Sequence, residues 1–260
     1  MKRDSVFWGA VLILVGVLLY LQGQGYIGNV FRYFWPLLLI LVGARIILGV
    51  YWKPTPSVED TFSIPLGAAQ SVKYHFSHGA GQLEISGGAP LGQALAGTSA
   101  VGMNRSSQLN GDRLEVRIEA GPSFIPFVGP EQGVWRFQLT QEFPVLLSVE
   151  SGASSLLIDL TDVPVTRFSL KTGASSAHVT MPARGASILD VESGATSINV
   201  RVPDVTAARI RVKEGVMAVN VDTGRFPQLD SGLYQSANFD SSQNRTEINI
   251  DSGVGSASVK

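Results

Sequence analysis

The sequence predicts an N-terminal two-helix transmembrane hairpin followed by an all-β domain arranged as a β-solenoid with coils of about 21 residues. Two observations carry this prediction: an apolar pattern that recurs every 21 residues in the second half of the chain, and two long apolar segments before residue 53. The composition agrees, because Gly, Ser, Thr, Val and Ile are abundant after residue 53, and that bias favours strands and turns over helices.

The chain of 260 residues divides into three parts: the hairpin at 1–53, a Pro-containing linker at 54–57, and the β domain at 58–260. The net charge is −1, but the hairpin holds five bases and one acid, so the rest of the chain carries −5. A mildly acidic body does not suggest nucleic-acid binding, which normally needs a basic surface. The absence of cysteine excludes disulfides, thiolate nucleophiles and cysteine-ligated zinc.

The two apolar segments are long enough to cross a bilayer, for which a helix needs roughly 17 residues or more. Val6–Gln22 contains no charged residue, and Tyr33–Trp52 contains only Arg45, which lies near the end of its segment and can reach the interface. Aromatic residues lie at the ends of both segments, as is typical at the surfaces of a bilayer. No small-x-small cleavage pattern follows the first segment, so we expect two retained spans rather than a signal peptide.

Basic residues beside the two segments predict the topology. Lys2 and Arg3 flank the first segment and Lys53 flanks the second, whereas Arg32 alone marks the connecting loop. By the positive-inside rule, this distribution places both termini and the β domain in the cytoplasm. We therefore expect a two-pass protein of a bacterial cytoplasmic membrane, with the lipid bilayer as one partner.

The glycines Gly152, Gly173, Gly194 and Gly215 are spaced by 21 residues, and alignment on them places apolar residues in four columns. The columns are Leu147, Phe168, Leu189 and Ile210; Val149, Leu170, Val191 and Val212; Leu156, Ala177, Ile198 and Val219; and Ile158, Val179, Val200 and Val221. Apolar and polar residues alternate on both sides of the glycine, which indicates two short strands per repeat, each with one buried face. The alternation changes phase at the glycine, so we expect a corner there, where small residues and positive φ are favoured.

Each repeat therefore forms one coil, whose apolar face neighbouring coils bury. The charges of Glu150, Lys171, Glu192 and Lys213 alternate in sign, which supports stacking in register, because equivalent residues of stacked coils lie about 4.8 Å apart. The alternative fold is a β-sandwich, for which a constant 21-residue phase has no obvious cause.

The same pattern extends beyond these repeats with lower fidelity. Tyr74–Ile85 aligns through Gly79, and Ile248–Val259 aligns through Gly253 as a final coil. We expect roughly six or seven coils in total, with an irregular stretch between the first and the second.

The sequence predicts no catalytic, cofactor-binding or metal-binding residue, and no cofactor. His75 and His78 are three residues apart on one predicted strand and so point to different faces, and no acid joins them to complete a metal site. His178 falls in an outward column with Leu157, Asn199 and Asn220, where a solvated surface role is expected.

Serines and carboxylates are interpreted in the same way. Nucleophilic catalysis needs a serine activated by a base, but the repetition explains the plentiful serines as corner residues; they are Ser154, Ser155, Ser175 and Ser176. A polysaccharide-cleaving solenoid needs clustered acids on an outer groove, and one outward column is the candidate for that role. It consists of Asp159, Thr180, Arg201 and Asp222, and it supplies no adjacent acids.

Two parts of the sequence resemble known families. The segment FWGAVLILVGVLLYLQGQGYIGNVFRYFWPLLLILVGARIILG resembles the paired transmembrane module of the LiaI/LiaF family of bacterial envelope-stress proteins. The SGAS, TGAS and SGAT repeats, each followed by an alternating strand and then MP or VP, resemble the toastrack domain often coupled to that module. Together the two resemblances cover nearly the whole chain. They imply a membrane-bound regulator that restrains a histidine-kinase signalling pair, although some relatives have four spans where this sequence has two.

We therefore expect no enzyme. The expected function is that of a membrane-anchored regulatory or scaffolding protein of the bacterial cell-envelope stress response, acting by protein–protein contacts, with a sensor kinase as its expected partner. The alternative is a self-assembling membrane-associated scaffold, because solenoid ends expose unpaired strands, although the insertion Gly224–Thr246 is placed to cover one edge. The third interpretation is a polysaccharide-active β-solenoid enzyme.

Overall fold

The computed structural model describes residues 2–25, 28, 34–37, 60–99, 103–120, 134–213 and 216–260. The chain forms two compact units, Met1–Pro56 and Ser57–Lys260. Each unit is described by itself below.

The first unit contains the helix α1, Lys2–Gly23. This helix includes the first predicted span, Val6–Gln22. Within the described residues, no helix combines the length and the hydropathy that crossing a membrane requires. Most of the second predicted span lies outside the described residues, which include only its residues 34–37. The two-helix hairpin and its two-pass topology therefore stay predictions.

The second unit contains one sheet with 14 strands. The strands are β1 (Asp60–Pro65), β2 (Ser71–Gly87), β3 (Gln93–Ser99), β4 (Met103–Asn110), β5 (Arg113–Ala120), β6 (Val134–Leu139), β7 (Val145–Asp159), β8 (Val165–Thr180), β9 (Ala186–Arg201), β10 (Ala207–Val212), β11 (Val216–Val221), β12 (Gln228–Asp230), β13 (Leu233–Gln235) and β14 (Arg245–Val259). The prediction of a mostly β domain is confirmed.

Five long strands form the body of the sheet and pair in parallel in the order β2, β7, β8, β9, β14. Each is one rung, and its alternation changes phase at the glycine, which divides it into a first arm before the glycine and a second arm after it. The register follows the predicted columns: Leu147 pairs with Phe168, and Leu156 pairs with Ala177. The 21-residue period therefore does set the register of β7, β8 and β9.

Two further rungs lie at the ends of this stack, and each consists of two separate strands. β5 and β6 pair with the first and second arms of β2, and β10 and β11 pair with the first and second arms of β14. The stack thus has seven rungs, and their order differs from the order of the sequence.

This rung order corrects the predicted simple spiral. β14 is not a final coil, because it lies between β9 and the rung formed by β10 and β11. Ile248 pairs on one side with Leu189 and on the other with Ile210. The sequence pattern predicts that Leu189 and Ile210 are neighbours, and this prediction is wrong. The insertion of β14 requires the chain to leave the stack after β11 and to return into it.

The four apolar columns are nevertheless confirmed, and their side chains fill the interior between the two arms, except that Val219 is partly exposed at the end of the stack. Tyr74, Phe76, Leu83 and Ile85 occupy the same columns in β2, at 0–1 % exposure. Aromatic rings close one end of the interior, where the centroids of Phe76 and Phe137 lie 5.0 Å apart. This single apolar cluster runs through all seven rungs and supplies the main stabilisation of the fold.

The corner glycines are required for close approach of the backbones. A Cβ atom on Gly152 would lie 2.5 Å from the carbonyl oxygen of Gly79, and one on Gly173 would lie 3.0 Å from that of Gly152. The corresponding distances are 3.0 Å at Gly194 and 2.9 Å at Gly253. None of these four glycines has a positive φ, so the predicted conformational reason is wrong and the steric one replaces it. Gly215 lies outside the described residues.

The charged column is confirmed in one half and corrected in the other. Lys171 Nζ lies 2.9 Å from a carboxylate oxygen of Glu192, as the alternation of signs suggests. Lys213 instead pairs with Asp251, because β14 separates it from Glu192. Two acids, Glu192 and Asp251, are therefore neighbours across the strands, and each has a lysine on its other side.

Antiparallel strands cover most of the outer edges. β4 covers β5, the pair β3 and β1 covers β6, and the pair β13 and β12 covers β10. The strands β12 and β13 belong to the insertion Gly224–Thr246, so its predicted role as an edge cover is correct for the first arm. On the second arm, β11 pairs only with β14 among the described residues.

Candidate functional site

The outer surface of the first arm is rich in ion pairs. Arg167 Nη1 lies 2.6 Å from Asp190 Oδ2. Arg209 Nη1 and Arg211 Nη1 each lie 3.4 Å from a carboxylate oxygen of Glu247. Strand alternation directs these residues outwards, since they lie between buried column residues. We call this outward surface of the first arm the charged face, and its basic and acidic side chains form ion pairs with one another. It includes Arg167, Ser169, Asp190, Arg209, Arg211 and Glu247.

The outer surface of the second arm has a different composition. Its residues alternate with the buried third and fourth columns, so they are directed away from the core. In β7, β8, β9, β11 and β14, two outward rows contain hydroxyl, amide and imidazole groups and one large apolar side chain, Leu157, which is 52 % exposed. Charged residues border these rows: Glu84 of β2 pairs with Leu157, and Asp159 and Arg201 lie in the next outward row. We call this surface the neutral face; it consists of Ser155, Leu157, Ser176, His178, Ser197, Asn199, Ala218, Asn220, Ser256 and Ser258.

The neutral face places uncharged polar groups in rows across neighbouring strands. Leu157, His178 and Asn199 are direct register partners, as the sequence predicted. Ser258 lies between Asn199 and Asn220, because β14 separates their strands. An uncharged patch with charged residues only at its border suits the centre of a protein interface, where charged residues are depleted because their desolvation is costly.

An open groove of 760 Å³ runs along the corner of rungs β2, β7, β8 and β9. Its lining includes Glu150, Lys171 and Glu192, together with hydroxyl-bearing residues and His78. The hydrogen bond and the charge of Glu192 raise the pKa of the Lys171 ammonium above its usual value. The groove combines fixed charges with hydroxyl groups.

His78 is one of two buried polar residues that line this groove, at 2 % exposure; the other is Thr172. The His78 ring meets Trp135 edge-on with centroids 4.6 Å apart, and neither ring nitrogen has a hydrogen-bond partner within the part of the chain that the structure describes. Burial lowers the pKa of His78 from 6.5 to about 4, so the ring is neutral at pH 7. Its contact with Trp135 was not predicted, because the two residues lie in different strands without a shared motif.

The structure places the other histidines apart from His78. His75 lies on the first arm beside Ser148, and its side chain is half-buried. His178 is exposed on the neutral face, as predicted. Among the described residues, no group of three or more His, Cys, Asp or Glu side chains could hold a metal ion.

The corner serines stack as hydroxyl ladders. Ser193 Oγ donates to Ser252 Oγ at 2.8 Å, and the hydroxyls of Ser175 and Thr196 lie 3.1 Å apart. Ser154 contacts Ser151 in the same corner. These contacts satisfy polar groups where the strands bend, which is the structural role that the repetition suggested.

The outward acids considered for glycoside cleavage stabilise turns. Asp159 Oδ1 accepts hydrogen bonds from the backbone nitrogen of Thr161 at 3.1 Å and from its hydroxyl at 2.6 Å. Asp222 Oδ1 accepts one from the backbone nitrogen of Gly224 at 3.0 Å. Asp159, Thr180 and Arg201 do form one row, but Asp222 is not beside Arg201, since its strand pairs with β14.

Comparison with known proteins identifies both parts of the chain. Residues 53–201, more than half of the sequence, match the N-terminal domain of toast_rack, DUF2154. The chain belongs to the toast_rack family. Residues 6–47 of this toast_rack protein match the LiaI-LiaF-like transmembrane region. The two resemblances seen in the sequence are thereby confirmed, and the chain is a membrane-associated protein of the LiaF type.

A solved structure shares the fold of this toast_rack chain. It is a cell adhesion protein, so described, from Clostridium sporogenes, and it aligns with a TM-score of 0.71 at 20 % identity. The alignment covers 80 % of this chain and 99 % of the other. No curated protein sequence matches the chain. Neither matched family nor the Clostridium protein is described as an enzyme.

Proposed function

We propose that this protein is a membrane-anchored regulator or scaffold of the bacterial cell-envelope stress response, and that it acts by binding a membrane signalling protein such as a sensor kinase. The observation that carries the proposal is the union of a LiaI-LiaF-like transmembrane region with a β domain that presents the neutral face. The N-terminal region anchors the domain, and the neutral face supplies the docking surface.

The physical argument concerns both affinity and rigidity. Seven hydrogen-bonded rungs around one apolar interior form a stiff body, so the switch in this proposal lies in the N-terminal region or the linker. Anchoring both partners in the same bilayer raises their effective concentration, so a modest interface suffices for regulation. Leu157 offers the partner a large exposed apolar side chain within the hydroxyl and amide rows, whose burial on binding is favourable.

The test is co-purification of the full-length protein from bacterial membranes after chemical cross-linking. We expect a sensor kinase among the captured proteins. The variant Asn199→Arg places a charge in the neutral face and should abolish its capture. The matched control Ser169→Arg places the same charge on the charged face of the neighbouring rung and should retain it. Equal capture by both variants, or no captured signalling protein with the wild type, would contradict the proposal.

A topology reporter fused after Lys260 tests the predicted side of the membrane. Cytoplasmic placement keeps an intracellular kinase domain within reach of the neutral face. Placement outside would direct the same docking argument to an extracytoplasmic partner and would contradict the positive-inside prediction.

A further inference from the structure

The second-arm strand β11 is an open sheet edge. Its inner side pairs with β14 through six consecutive residues, Val216–Val221, without a bulge. Among the described residues, no strand pairs with its outer side. The neighbouring first-arm strand β10 is covered by β13, so the covering insertion protects only one half of this terminal rung.

β11 also lacks the features by which proteins usually protect an edge. Elsewhere the sheet ends in β1, which terminates at Pro65 with an irregular register, in β12, which has three residues and a register shift, or in β4, which carries the charged residue Arg105. β11 contains no proline, no charge and no irregularity. An uncharged, regular and exposed edge is a template for pairing with another strand.

The apolar interior is open at the same place. Val219 belongs to the third apolar column, whose other members Leu156, Ala177, Ile198 and Ala257 are each 1 % exposed. Val219 is 39 % exposed, because no further rung lies over it. A strand added outside β11 would therefore both satisfy the edge and cover an apolar side chain.

The hydrogen bonds of β11 define which backbone groups are available. The backbone nitrogen of Asp222 donates to the carbonyl oxygen of Val259 in β14 at 3.0 Å. In a parallel ladder, every second residue of a strand forms its backbone hydrogen bonds with the same neighbouring strand. The backbone amide and carbonyl groups of the even-numbered residues of β11 therefore point towards β14. The amide and carbonyl groups of the odd-numbered residues, Val219 and Val221 among them, consequently point outwards.

We propose that β11 is a dimerisation edge, at which a second copy of this chain adds its own β11 in antiparallel register centred on Val219. A two-fold axis perpendicular to the sheet pairs each residue with a residue of the second copy whose side chain lies on the same face. Because side chains alternate along a strand, the two paired residues must both have odd numbers or both have even numbers. Pairing Val219 with its own copy meets this condition, and it matches the outward-pointing amides of the odd-numbered residues. The same register places Ala218 opposite Asn220.

This register explains why the occupant is a second copy. The strand is complementary to itself in both respects: its free hydrogen-bonding residues pair with one another, and its exposed valine covers its equivalent. In such a pair, the two Val219 side chains would lie about 5 Å apart. The neutral faces of the two copies would then form one continuous surface, since β11 contributes Ala218 and Asn220 to it. The inference goes beyond the signalling partner proposed above and does not depend on it.

Cysteine cross-linking in native membranes tests the contact directly, because the chain contains no cysteine. Val219→Cys places thiols on the two-fold axis, where the Cα separation of a paired strand lies within the range of a disulfide. We expect mild oxidation to give at least tenfold more disulfide-linked dimer than the control Leu157→Cys, which lies on the neutral face four rungs away. Equal yields would overturn the proposal.

A second variant weakens the same edge without removing a bond of the monomer. Val219→Pro deletes an outward-pointing amide, a position at which proline is tolerated in edge strands. By light scattering of the full-length protein in detergent, we expect a dimer for the wild type, at least a tenfold weaker dimer for Val219→Pro, and an unchanged one for the control Leu91→Pro, at an exposed turn. A monomeric wild type, or cross-linking of residue 219 to a different protein, would show that a second copy is not the occupant.

Discussion

The carbonyl oxygen of Gly79 lies 2.5 Å from the position that a Cβ atom on Gly152 would occupy. Adjacent corners approach one another so closely that backbone meets backbone, and no side chain can yield. The same contact recurs along the stack at distances of 2.9–3.0 Å. A glycine is therefore repeated at the corner because the close spacing of neighbouring rungs there leaves no room for a Cβ atom.

The first prediction concerns this contact. Gly152→Ala should lower the free energy of unfolding by about 1–3 kcal/mol, as over-packing does, because the opposing atom belongs to the backbone. Gly173→Ala, where the distance is 3.0 Å, should cost less. Urea unfolding of the full-length protein in detergent, followed by circular dichroism, measures both. Equal stability of Gly152→Ala and the wild type would show that the corners can separate freely.

The second prediction concerns acid stability. The pKa of His78 is 6.5 in an unfolded chain and about 4 in the fold, so the folded state binds fewer protons between these values. The contribution of His78 to the free energy of unfolding is therefore fully present above pH 6.5. It is lost as the pH drops towards 4, by about 3 kcal/mol. His78→Phe keeps an aromatic contact with Trp135 and should remove this part of the pH dependence.

Thermal unfolding between pH 7 and pH 4 provides the measurement for His78. The control Leu83→Ala, in the same rung, should lower stability at every pH and keep the wild-type slope, since it removes packing without a titrating group. An identical slope in His78→Phe and the wild type would place the acid sensitivity elsewhere.

The third prediction concerns the buried phenol of Tyr74, which donates a hydrogen bond to the carbonyl oxygen of Ala94. Burial raises the pKa of Tyr74, so the folded state keeps its proton when the unfolded state loses it above pH 10. Stability should therefore fall as the pH rises beyond 10, and Tyr74→Phe should lose this fall. At pH 7 the variant should cost about 1 kcal/mol, the net value of one hydrogen bond.

Chemical denaturation at pH 7 and above pH 10 checks the two effects of Tyr74→Phe. Tyr234→Phe, at a half-buried position in β13, is the control and should have the smaller effect at pH 7. A Tyr74→Phe variant as stable as the wild type at pH 7 would mean that the bond to Ala94 contributes nothing.

The fourth prediction concerns the insertion of β14 between β9 and β10. Ile248 is 0 % exposed, and Ile248→Ala should cost roughly 2–5 kcal/mol. Because β14 holds β10 in the sheet, amide hydrogen exchange should accelerate in residues 207–212 as well as in β14. Leu229→Ala, at a side chain 61 % exposed, should leave the exchange unchanged. Protection of β10 that survives Ile248→Ala would favour the simple spiral.

The sequence carried enough information for the rungs but not for their order. The period of 21 residues placed Leu147, Phe168 and Leu189 in one column, because inward direction and register both follow from strand alternation. The position of Ile248 between Leu189 and Ile210 was not predictable, since any rung satisfies the same apolar pattern. Pattern decides which residues are buried, whereas loop geometry decides which strand lies beside which.

The surfaces were predictable to a similar degree. The outward position of His178 followed from alternation, and so did the row formed by Asp159 and Thr180. The burial of His78 against Trp135 was not visible, because it arises where a two-strand rung meets the corner of β2. The open edge at β11 was likewise hidden, since it depends on which strand the insertion covers.

The rungs β7, β8 and β9 follow one another directly in the chain and lie side by side, while the rungs at both ends of the stack are separated in the chain by covering strands. A duplicated segment of 21 residues between Val145 and Arg201 would therefore add one more rung, and the strands at both ends of the stack would keep their pairing. Unequal crossing-over within this region could lengthen the domain in steps of about 4.8 Å. The length of the β domain along its stack of rungs would then change by mutation, without any change in the strands at its ends.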